Sequence, residues 1–190
     1  MHLNRSIIGS LLASTLMLGL PGCATHSSSP ANSAGQLPKP NPTDVDTISD
    51  IVRASYETIS GPARNPWPWE RDRTLYMPRA IFVSNTMEHG HLVRRVETPE
   101  EYRRRFLPGG YETEIGRKIE RFGNVAQVRS VSVARDTPDG PITGRWVNYF
   151  QLYWDGARWW IAAMVWDQER ESLPIPQSWI GKLDEDRRTY

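Results

Sequence analysis

The sequence contains several carboxylates and a histidine that could act as an acid or a base. Such chemistry needs a carboxylate inside an apolar pocket with hydrogen-bond donors opposite it, because burial moves its pKa toward neutrality. The candidates by position are Glu112, Glu114, Asp167 and His91, with Tyr56, Arg129 and Asn148 as polar lining. Solvated strand faces and strand ends carry the same residue types, and none of these positions matches a catalytic motif, so we assign no catalytic residue.

Two histidines, His89 and His91, stand two positions apart, and on a strand their imidazoles would point the same way. Zinc sites use at least three protein ligands, and no third ligand accompanies this pair. The pattern therefore favours a solvated turn, and we expect neither a metal nor a cofactor.

All eight tryptophans lie between Trp67 and Trp179. Within this stretch, Trp67-Pro68-Trp69 offers a rigid apolar plate for a ligand ring. The alternative, which we favour, is that these rings fill the open end of the domain, because Trp is highly buried on average. The residues expected to line a pocket are Tyr56, Trp67, Trp69, His91, Glu114, Arg129, Asn148 and Trp160.

The charges balance, since Lys and Arg number 23 and Asp and Glu number 22. No field of one sign favours nucleic acid, so a nucleic-acid partner is not expected. Two basic runs, Arg94-Arg95 and Arg103-Arg104-Arg105, could contact anionic head groups. Glu100 and Glu101 beside the second run indicate a solvated, ion-paired face instead.

The first 22 residues predict a signal peptide. A single charge, Arg5, precedes an apolar run over 7–20, which is shorter than the about 20 residues that a spanning helix needs. The string Leu20-Pro21-Gly22-Cys23 resembles the lipobox of bacterial lipoproteins, which are cut before the cysteine and acylated on it; Pro21 departs from the usual small residue. Ordinary cleavage after Ala24 is the alternative.

The lipobox resemblance implies export and a membrane anchor through a lipid on Cys23, the only cysteine of the chain. Ala24 is not Asp, which in such lipoproteins implies the outer membrane when the host has two membranes. Residues 23–43 then form a flexible tether, because they contain almost no large apolar side chain. The folded domain is expected over 44–181, followed by a charged tail over 182–190.

Three helices are predicted in the first half of the domain. They are expected over 48–59, around 71–76 and over 99–106. The first is amphipathic, with Asp46 or Thr47 as its N-cap. Thr98-Pro99-Glu100-Glu101 is a capping box that starts the third.

Alternating apolar and polar residues predict strands. They are expected over 79–84, 91–96, 111–122, 125–135, 143–154 and 158–166. Asp139-Gly140 and Asp155-Gly156 have the composition of tight hairpin loops with positive backbone angles, and 85–90 that of a polar turn. Helices followed by a long antiparallel meander indicate an α+β fold.

Four strings of the domain carry a further signal: 51–60, 98–102, 119–126 and 151–161. With the order of elements, they resemble the nuclear transport factor 2-like (SnoaL-like) superfamily. The resemblance implies a cone-shaped α+β fold, in which N-terminal helices pack on a strongly bent antiparallel sheet over an apolar pocket. That superfamily includes isomerases, dehydratases, hydrolases and non-catalytic binders, so the fold does not select an activity.

The two strands that flank Asp155-Gly156 are apolar on both faces. With a two-residue loop, one face would carry Asn148, Phe150, Leu152, Trp159, Ile161 and Ala163, and the other Tyr149, Gln151, Tyr153, Trp160, Ala162 and Met164. Strands of this kind must be covered on both sides. Helices cover one face, and we expect a second copy of the chain to cover the other, which predicts a homodimer through the outer sheet face.

These observations predict a lipid-anchored domain of the cell envelope that binds a small apolar or amphipathic ligand, or a protein partner, without catalysis. The alternative is a small-molecule enzyme of the isomerase, dehydratase or hydrolase type, working by acid–base chemistry in the pocket. A carboxylate or histidine that faces a donor inside an open cavity would favour the enzyme. A cavity filled by Trp and other apolar residues would favour the binder.

Overall fold

Three α-helices and six strands make up the described part of the chain. The computed structural model describes residues 39–62, 68–106 and 109–186. The helices are α1 (Ile48–Ile59), α2 (Trp69–Asp72) and α3 (Pro99–Arg105), with short 3-10 turns at Pro42–Asp44 and Gln177–Trp179. The strands are β1 (Tyr76–Glu88), β2 (His91–Glu97), β3 (Tyr111–Phe122), β4 (Val125–Arg135), β5 (Ile142–Trp154) and β6 (Trp159–Gln168). Across these ranges, no helix has the length and apolar character that crossing a bilayer requires.

The six strands form one sheet in the order β2-β1-β6-β5-β4-β3. Neighbouring strands are antiparallel except β1 and β6, which run parallel. A parallel pair needs a long crossover, and here the chain between the two strands contains α3 and the rest of the sheet. The expected α+β class, with N-terminal helices on a mostly antiparallel sheet, is confirmed.

Helix α1 has the span predicted from its periodicity. Thr47 caps it, and its Oγ1 accepts a hydrogen bond from Asp50 N at 3.0 Å. The buried face of the helix carries Ile48, Ile51, Val52 and Tyr56. Burial of an aliphatic side chain of this size contributes about 1.5–3 kcal/mol. This apolar face therefore holds the helix in the core.

The predicted capping box starts α3. Thr98 Oγ1 accepts a hydrogen bond from Glu101 N at 3.2 Å, and Thr98 N donates to the Glu101 carboxylate at 2.8 Å. At the other end of the helix, the rings of Tyr102 and Phe106 stack with centroids 5.0 Å apart. The capping box, a signal that is local in the sequence, thus starts the helix that places Tyr102 and Phe106 beside the sheet.

Strand β1 is longer than predicted and corrects two expectations. The second helix ends at Asp72 instead of continuing to Tyr76, where β1 already begins. The polar turn is limited to His89 and Gly90, whose φ angles are 50° and 81°. The strand continues through Asn85 because this residue pairs with β2 on one side and β6 on the other.

The two Asp-Gly loops differ from expectation. Gly156 has a φ of 100°, but Gly140 does not have a positive φ. The loop between β5 and β6 contains four residues, not two, because Trp154 pairs with Trp159. The Asp155 carboxylate closes this loop by accepting hydrogen bonds from two backbone N–H groups, at 2.8 and 2.9 Å.

A β-bulge in β6 changes which of its side chains face the helices. The register with β5 shifts between Gln151 and Leu152, which leaves Ala162 as an extra residue of β6. An extra residue reverses the alternation of side chains beyond it. Met164 therefore lies on the helix-covered face with Phe150 and not with Trp160 as predicted from a two-residue loop, and Trp166 shares the helix-covered face.

The C-terminal segment adds an edge to the sheet beside β3. Backbone hydrogen bonds of 2.8 Å join Gly181 N to Ile115 O and Arg117 N to Lys182 O. Another, of 3.1 Å, runs from Asp184 N to the carbonyl of Arg117. The first residues of the expected charged tail are therefore paired with β3.

The same segment covers part of the outer face of the sheet. The Trp179 ring lies 3.9 Å from the Arg129 guanidinium, and a Cβ added at Gly116 would lie 1.9 Å from Trp179 O. Val131 and Val133, which share the outer face with Arg129, are fully buried. The chain itself therefore covers part of the face expected to dimerise, and the homodimer stays a prediction.

Candidate functional site

A cavity lies between α1, α3 and the sheet. Its volume is about 130 Å³, close to the about 150 Å³ that holds a benzene-sized molecule in an engineered protein core. Seven aromatic rings form what we call the aromatic wall: Tyr56, Tyr76, Phe82, Tyr102, Phe106, Trp146 and Trp166. Arg105 is the one exposed residue among those that line the cavity in the described ranges, so the cavity opens beside it.

Three rings of the aromatic wall, Phe82, Tyr102 and Trp166, pack edge to face with one another. Their centroids are 5.4–5.6 Å apart and their planes are inclined by 74–86°. They come from three elements, β1, α3 and β6. Each such pair contributes about 0.5–1.5 kcal/mol beyond the burial of its area. The cluster therefore holds α3 on the sheet and forms one side of the cavity.

One end of the cavity rests on a hydrogen-bonded group that we call the polar floor: Tyr56, Glu112, Ser130, Ser132 and Asn148. The Tyr56 hydroxyl lies 2.7 Å from Ser130 Oγ and 3.0 Å from Asn148 Nδ2. Asn148 Nδ2 also donates to Ser132 Oγ at 3.2 Å. Ser132 Oγ donates to Glu112 Oε2 at 3.4 Å. The network joins α1, β3, β4 and β5.

The direction of the hydrogen bonds in the polar floor follows from Glu114. Ser130 Oγ donates to Glu114 Oε1 at 2.6 Å, because an ionised carboxylate can only accept. Ser130 therefore accepts the hydroxyl proton of Tyr56, and Tyr56 in turn accepts from Asn148. Both N–H groups of Asn148 are then used inside the floor. Asn148 Oδ1 and the Glu112 carboxyl remain as the acceptors that the floor offers to the cavity.

Glu114 is held in a buried ion pair with Arg117. The two side chains are 8% and 6% exposed, and Arg117 Nε lies 3.0 Å from each carboxylate oxygen. The guanidinium also donates to Asp184 O at 3.3 Å, in the C-terminal segment. Buried charges require such partners. Glu114, which we expected to line a pocket, does not line the cavity and instead holds the polar floor in place through its hydrogen bond from Ser130.

Glu112 lines the cavity without a salt-bridge partner among the described residues. Burial raises the pKa of its carboxyl from the ordinary 4.5 to about 7, and the hydrogen bond from Ser132 opposes this rise. Its backbone N–H donates to Ser60 Oγ at 2.9 Å, which ties β3 to the end of α1. Near neutral pH the carboxyl can therefore donate or accept a hydrogen bond, or balance a cation.

Two of the pocket residues expected from the sequence, Tyr56 and Asn148, are brought together in the polar floor. Arg129 and Trp160 do not line the cavity. Each takes part in a cation–π contact elsewhere, at 3.9 Å for Arg129 and 3.7 Å for Trp160. These contacts fix side chains of the sheet and leave neither residue available to a ligand in the cavity.

The remaining candidates lie apart from the cavity. His91 is exposed at the start of β2. Trp69 of α2 lies 4.8 Å from an arginine of α3, and Asp167 is ion-paired at 2.6 Å to an arginine that follows β6. Trp67 and Cys23 lie outside the described residues. Across the described ranges, no group of three His, Cys, Asp or Glu side chains is arranged to hold a metal ion.

Most of the aromatic wall, including Phe82, Trp146 and Trp166, is not predicted from the sequence. These rings come from separate elements, and no local pattern marks them as neighbours. A signal for the polar floor was present in β4, where Ser130 and Ser132 alternate with valines in a buried strand. Buried hydroxyls need hydrogen-bond partners, so this alternation indicates a polar cluster under the helix.

No protein-family model and no curated protein matches the chain. Solved structures match it in fold. A protein of unknown function with a cystatin-like fold from Nostoc punctiforme is 11% identical, with a TM-score of 0.51, and the match covers 66% of this chain and 90% of that one.

Two further structures give similar values. An NTF2-like protein of unknown function from Shewanella baltica is 12% identical over 65% of this chain and 92% of that one, with a TM-score of 0.46. A protein from Parabacteroides distasonis, named as a proposed ketosteroid isomerase, is 14% identical over 72% and 99%, with a TM-score of 0.48. At these identities the likeness concerns the fold alone, and the match with a TM-score of 0.51 is to a cystatin-like fold, in agreement with the α+β class expected from the sequence.

Proposed function

We propose that this domain binds one small amphipathic molecule in the cavity. A ring-sized apolar part would pack against the aromatic wall, and a polar group would contact the polar floor. The observation that carries the proposal is that the aromatic wall and two hydrogen-bond acceptors, Asn148 Oδ1 and the Glu112 carboxyl, line the same cavity. Ligand pockets typically combine an apolar lining with a few placed polar groups in this way. The opening beside Arg105 lets a substituent extend to solvent.

Acid–base catalysis is the second candidate function, and Glu112 is the observation that favours it. Burial raises the pKa of this carboxyl to about 7, where a general acid or base works well at neutral pH. Enolising chemistry also needs donors aimed at the developing oxyanion. In the polar floor, Tyr56 and Asn148 donate to protein groups instead. Binding without turnover is therefore the function that we place first.

A thermal-shift screen with ring-sized amines, alcohols, ketones and acids tests the binding function. A ligand that binds the folded chain raises its apparent stability by mass action. At least one compound should shift the wild type. Thr86→Phe should lose that shift, because Thr86 lines the cavity and the added ring would occupy it. Thr113→Phe is the matched control and should keep the shift, because Thr113 is exposed on β3.

Two outcomes would contradict binding without turnover. The first is a screen with no shift in the wild type, or one in which Thr86→Phe keeps every shift. The second is chemical conversion of a bound compound that Glu112→Gln abolishes while binding is retained. That second result would establish the enzyme as the correct function.

We also propose that the chain is exported and held at a membrane by a lipid on Cys23. The support is the string Leu20-Pro21-Gly22-Cys23 directly after the apolar run. Cys23→Ala should move the protein from the membrane fraction to the soluble fraction, whereas Ser27→Ala in the tether should not. Membrane association that survives Cys23→Ala would contradict the anchor.

A further inference from the structure

The aromatic wall and the polar floor together restrict the charge of the ligand. We infer that the ligand is an organic cation, with a primary ammonium group on a ring-sized apolar body. This inference refines the binding function proposed above and rests on it. Three features carry it: the density of rings in the wall, the acceptor character of the floor, and one carboxyl that has no cationic partner among the described residues.

The aromatic wall surrounds the cavity with side chains of the type whose ring faces bind ammonium groups. Seven rings surround a volume of about 130 Å³. Rings grouped in this way attract a cation through the negative potential of their faces. Neighbouring rings already do so within the chain, because Arg105 lies 5.3 Å from the Tyr102 centroid and Arg103 lies 4.8 Å from Trp69. A ligand ammonium would extend the same interaction into the cavity.

With Glu112 ionised, the described residues of the polar floor accept hydrogen bonds from the cavity and do not donate them. The Tyr56 proton goes to Ser130. The two protons of the Asn148 amide go to Tyr56 and Ser132. Asn148 Oδ1 and ionised Glu112 are then left to accept from a ligand. An ammonium group supplies such donors, whereas a carboxylate or phosphate would meet two acceptors.

Among the described residues, the groups that face Glu112 leave its charge uncompensated. The tyrosines have pKa values raised by burial and stay neutral: Tyr56 of α1, Tyr76 of β1 and Tyr102 of α3. The lining residues of β5 and β6 are uncharged: Trp146, Asn148, Met164 and Trp166. Arg105, the cation at the opening, donates to both carboxylate oxygens of Glu97. A cationic ligand would therefore neutralise the one carboxylate that, among the described lining residues, has no ion-pair partner.

Calorimetric titration of the full chain at pH 8 with benzylamine, benzyl alcohol and benzoate compares three polar groups on one ring. Benzylamine should bind about tenfold more tightly than benzyl alcohol, and benzoate more weakly than either. Glu112→Gln should lower benzylamine affinity about tenfold and leave benzyl alcohol within about twofold. Glu120→Gln is the matched control and should change neither, because Glu120 is exposed on the same strand.

The affinity for benzylamine should also depend on pH. Around a pKa of about 7, the ionised fraction of Glu112 rises about tenfold from pH 6 to pH 8, and affinity rises with the fraction of competent chains. Benzylamine keeps its proton across this range. Benzyl alcohol should show no such dependence, and Glu112→Gln should abolish it for benzylamine.

The possible outcomes separate this inference from the binding function. Benzyl alcohol binding as tightly as benzylamine, or benzoate binding most tightly, would overturn the cationic ligand and leave the cavity as a binding site. A benzylamine preference that survives in Glu112→Gln would also overturn it. Failure of all three probes overturns the cationic ligand, and the binding function falls as well if the wider screen finds no ligand.

Discussion

The hydroxyl of Tyr56 donates its proton to Ser130 Oγ across 2.7 Å. This bond joins α1 to β4, and its direction is set by the donation of Ser130 to Glu114 at 2.6 Å. The hydroxyl proton of Tyr56 is therefore donated within the protein and is not available to a ligand. Tyr56 in turn accepts a hydrogen bond from Asn148 Nδ2. Asn148 Oδ1 and the Glu112 carboxyl are then the acceptors that the polar floor offers to the cavity.

Replacement of Tyr56 by Phe should lower the free energy of unfolding by about 1–3 kcal/mol, because Ser130 and Asn148 would each lose a buried partner. Urea unfolding followed by tryptophan fluorescence measures this change. Tyr149→Phe is the matched control in β5, where Tyr149 is half-buried, and should stay within about 0.5 kcal/mol of the wild type. Equal stability of Tyr56→Phe and wild type would show that the network does not hold α1.

The stability of the wild type should fall through Glu112 as the pH rises. Burial raises the pKa of this carboxyl from 4.5 to about 7 in the folded chain, so its contribution is fully present below about pH 4.5 and is lost as the pH rises through 7. A shift of this size corresponds to at most about 3 kcal/mol. Glu112→Gln lacks this loss, so its stability relative to wild type should increase from pH 5 to pH 8.

Denaturant unfolding at several pH values between 5 and 8 measures the effect of Glu112. Glu120→Gln should follow the wild type across this range, because Glu120 is exposed on β3. If Glu112→Gln and wild type lose stability in parallel, the pKa of Glu112 is not raised in the folded chain.

Thr98→Ala should destabilise α3 by about 1 kcal/mol, because it removes the acceptor for Glu101 N at 3.2 Å. Thr98→Ser keeps a hydroxyl at the N-cap and should restore most of the loss. Thermal unfolding compares the three proteins. Hydrogen exchange of the α3 amides should also rise in Thr98→Ala. Because α3 carries Tyr102, which lines the cavity, unchanged exchange would contradict a role of the cap in holding this side of the cavity.

Gly116→Ala should displace the C-terminal segment. The new Cβ would lie 1.9 Å from Trp179 O, a contact that the backbone must move to relieve, at a cost of about 1–3 kcal/mol. Hydrogen exchange should increase at Gly181 and Asp184, whose amides donate to β3. Thr113→Ala on the same strand should leave this exchange unchanged. Protection of both amides in Gly116→Ala would show that the segment does not depend on this close approach.

Local signals were sufficient for several elements. The span of α1 follows from the spacing of its apolar residues and from the cap at Thr47, and the start of α3 follows from the capping box at Thr98. Strands β3 and β4 have the predicted spans, because alternation and the turn between them act within a few residues. Tyr56 and Asn148 were also predicted as pocket residues. Each of these depends on an interaction that is near in sequence or on a side chain of clear polarity.

The sequence by itself determined the α+β class and the buried face of single elements, since caps and hydrophobic periods act over short distances. Tertiary structure decided the cavity. The bulge at Ala162 turns Met164 and Trp166 toward the helices, and it depends on a register with β5 that no local pattern encodes. Glu112 and exposed Glu120 are the same residue type on one strand. Only packing against distant elements partly buries Glu112 and raises its pKa.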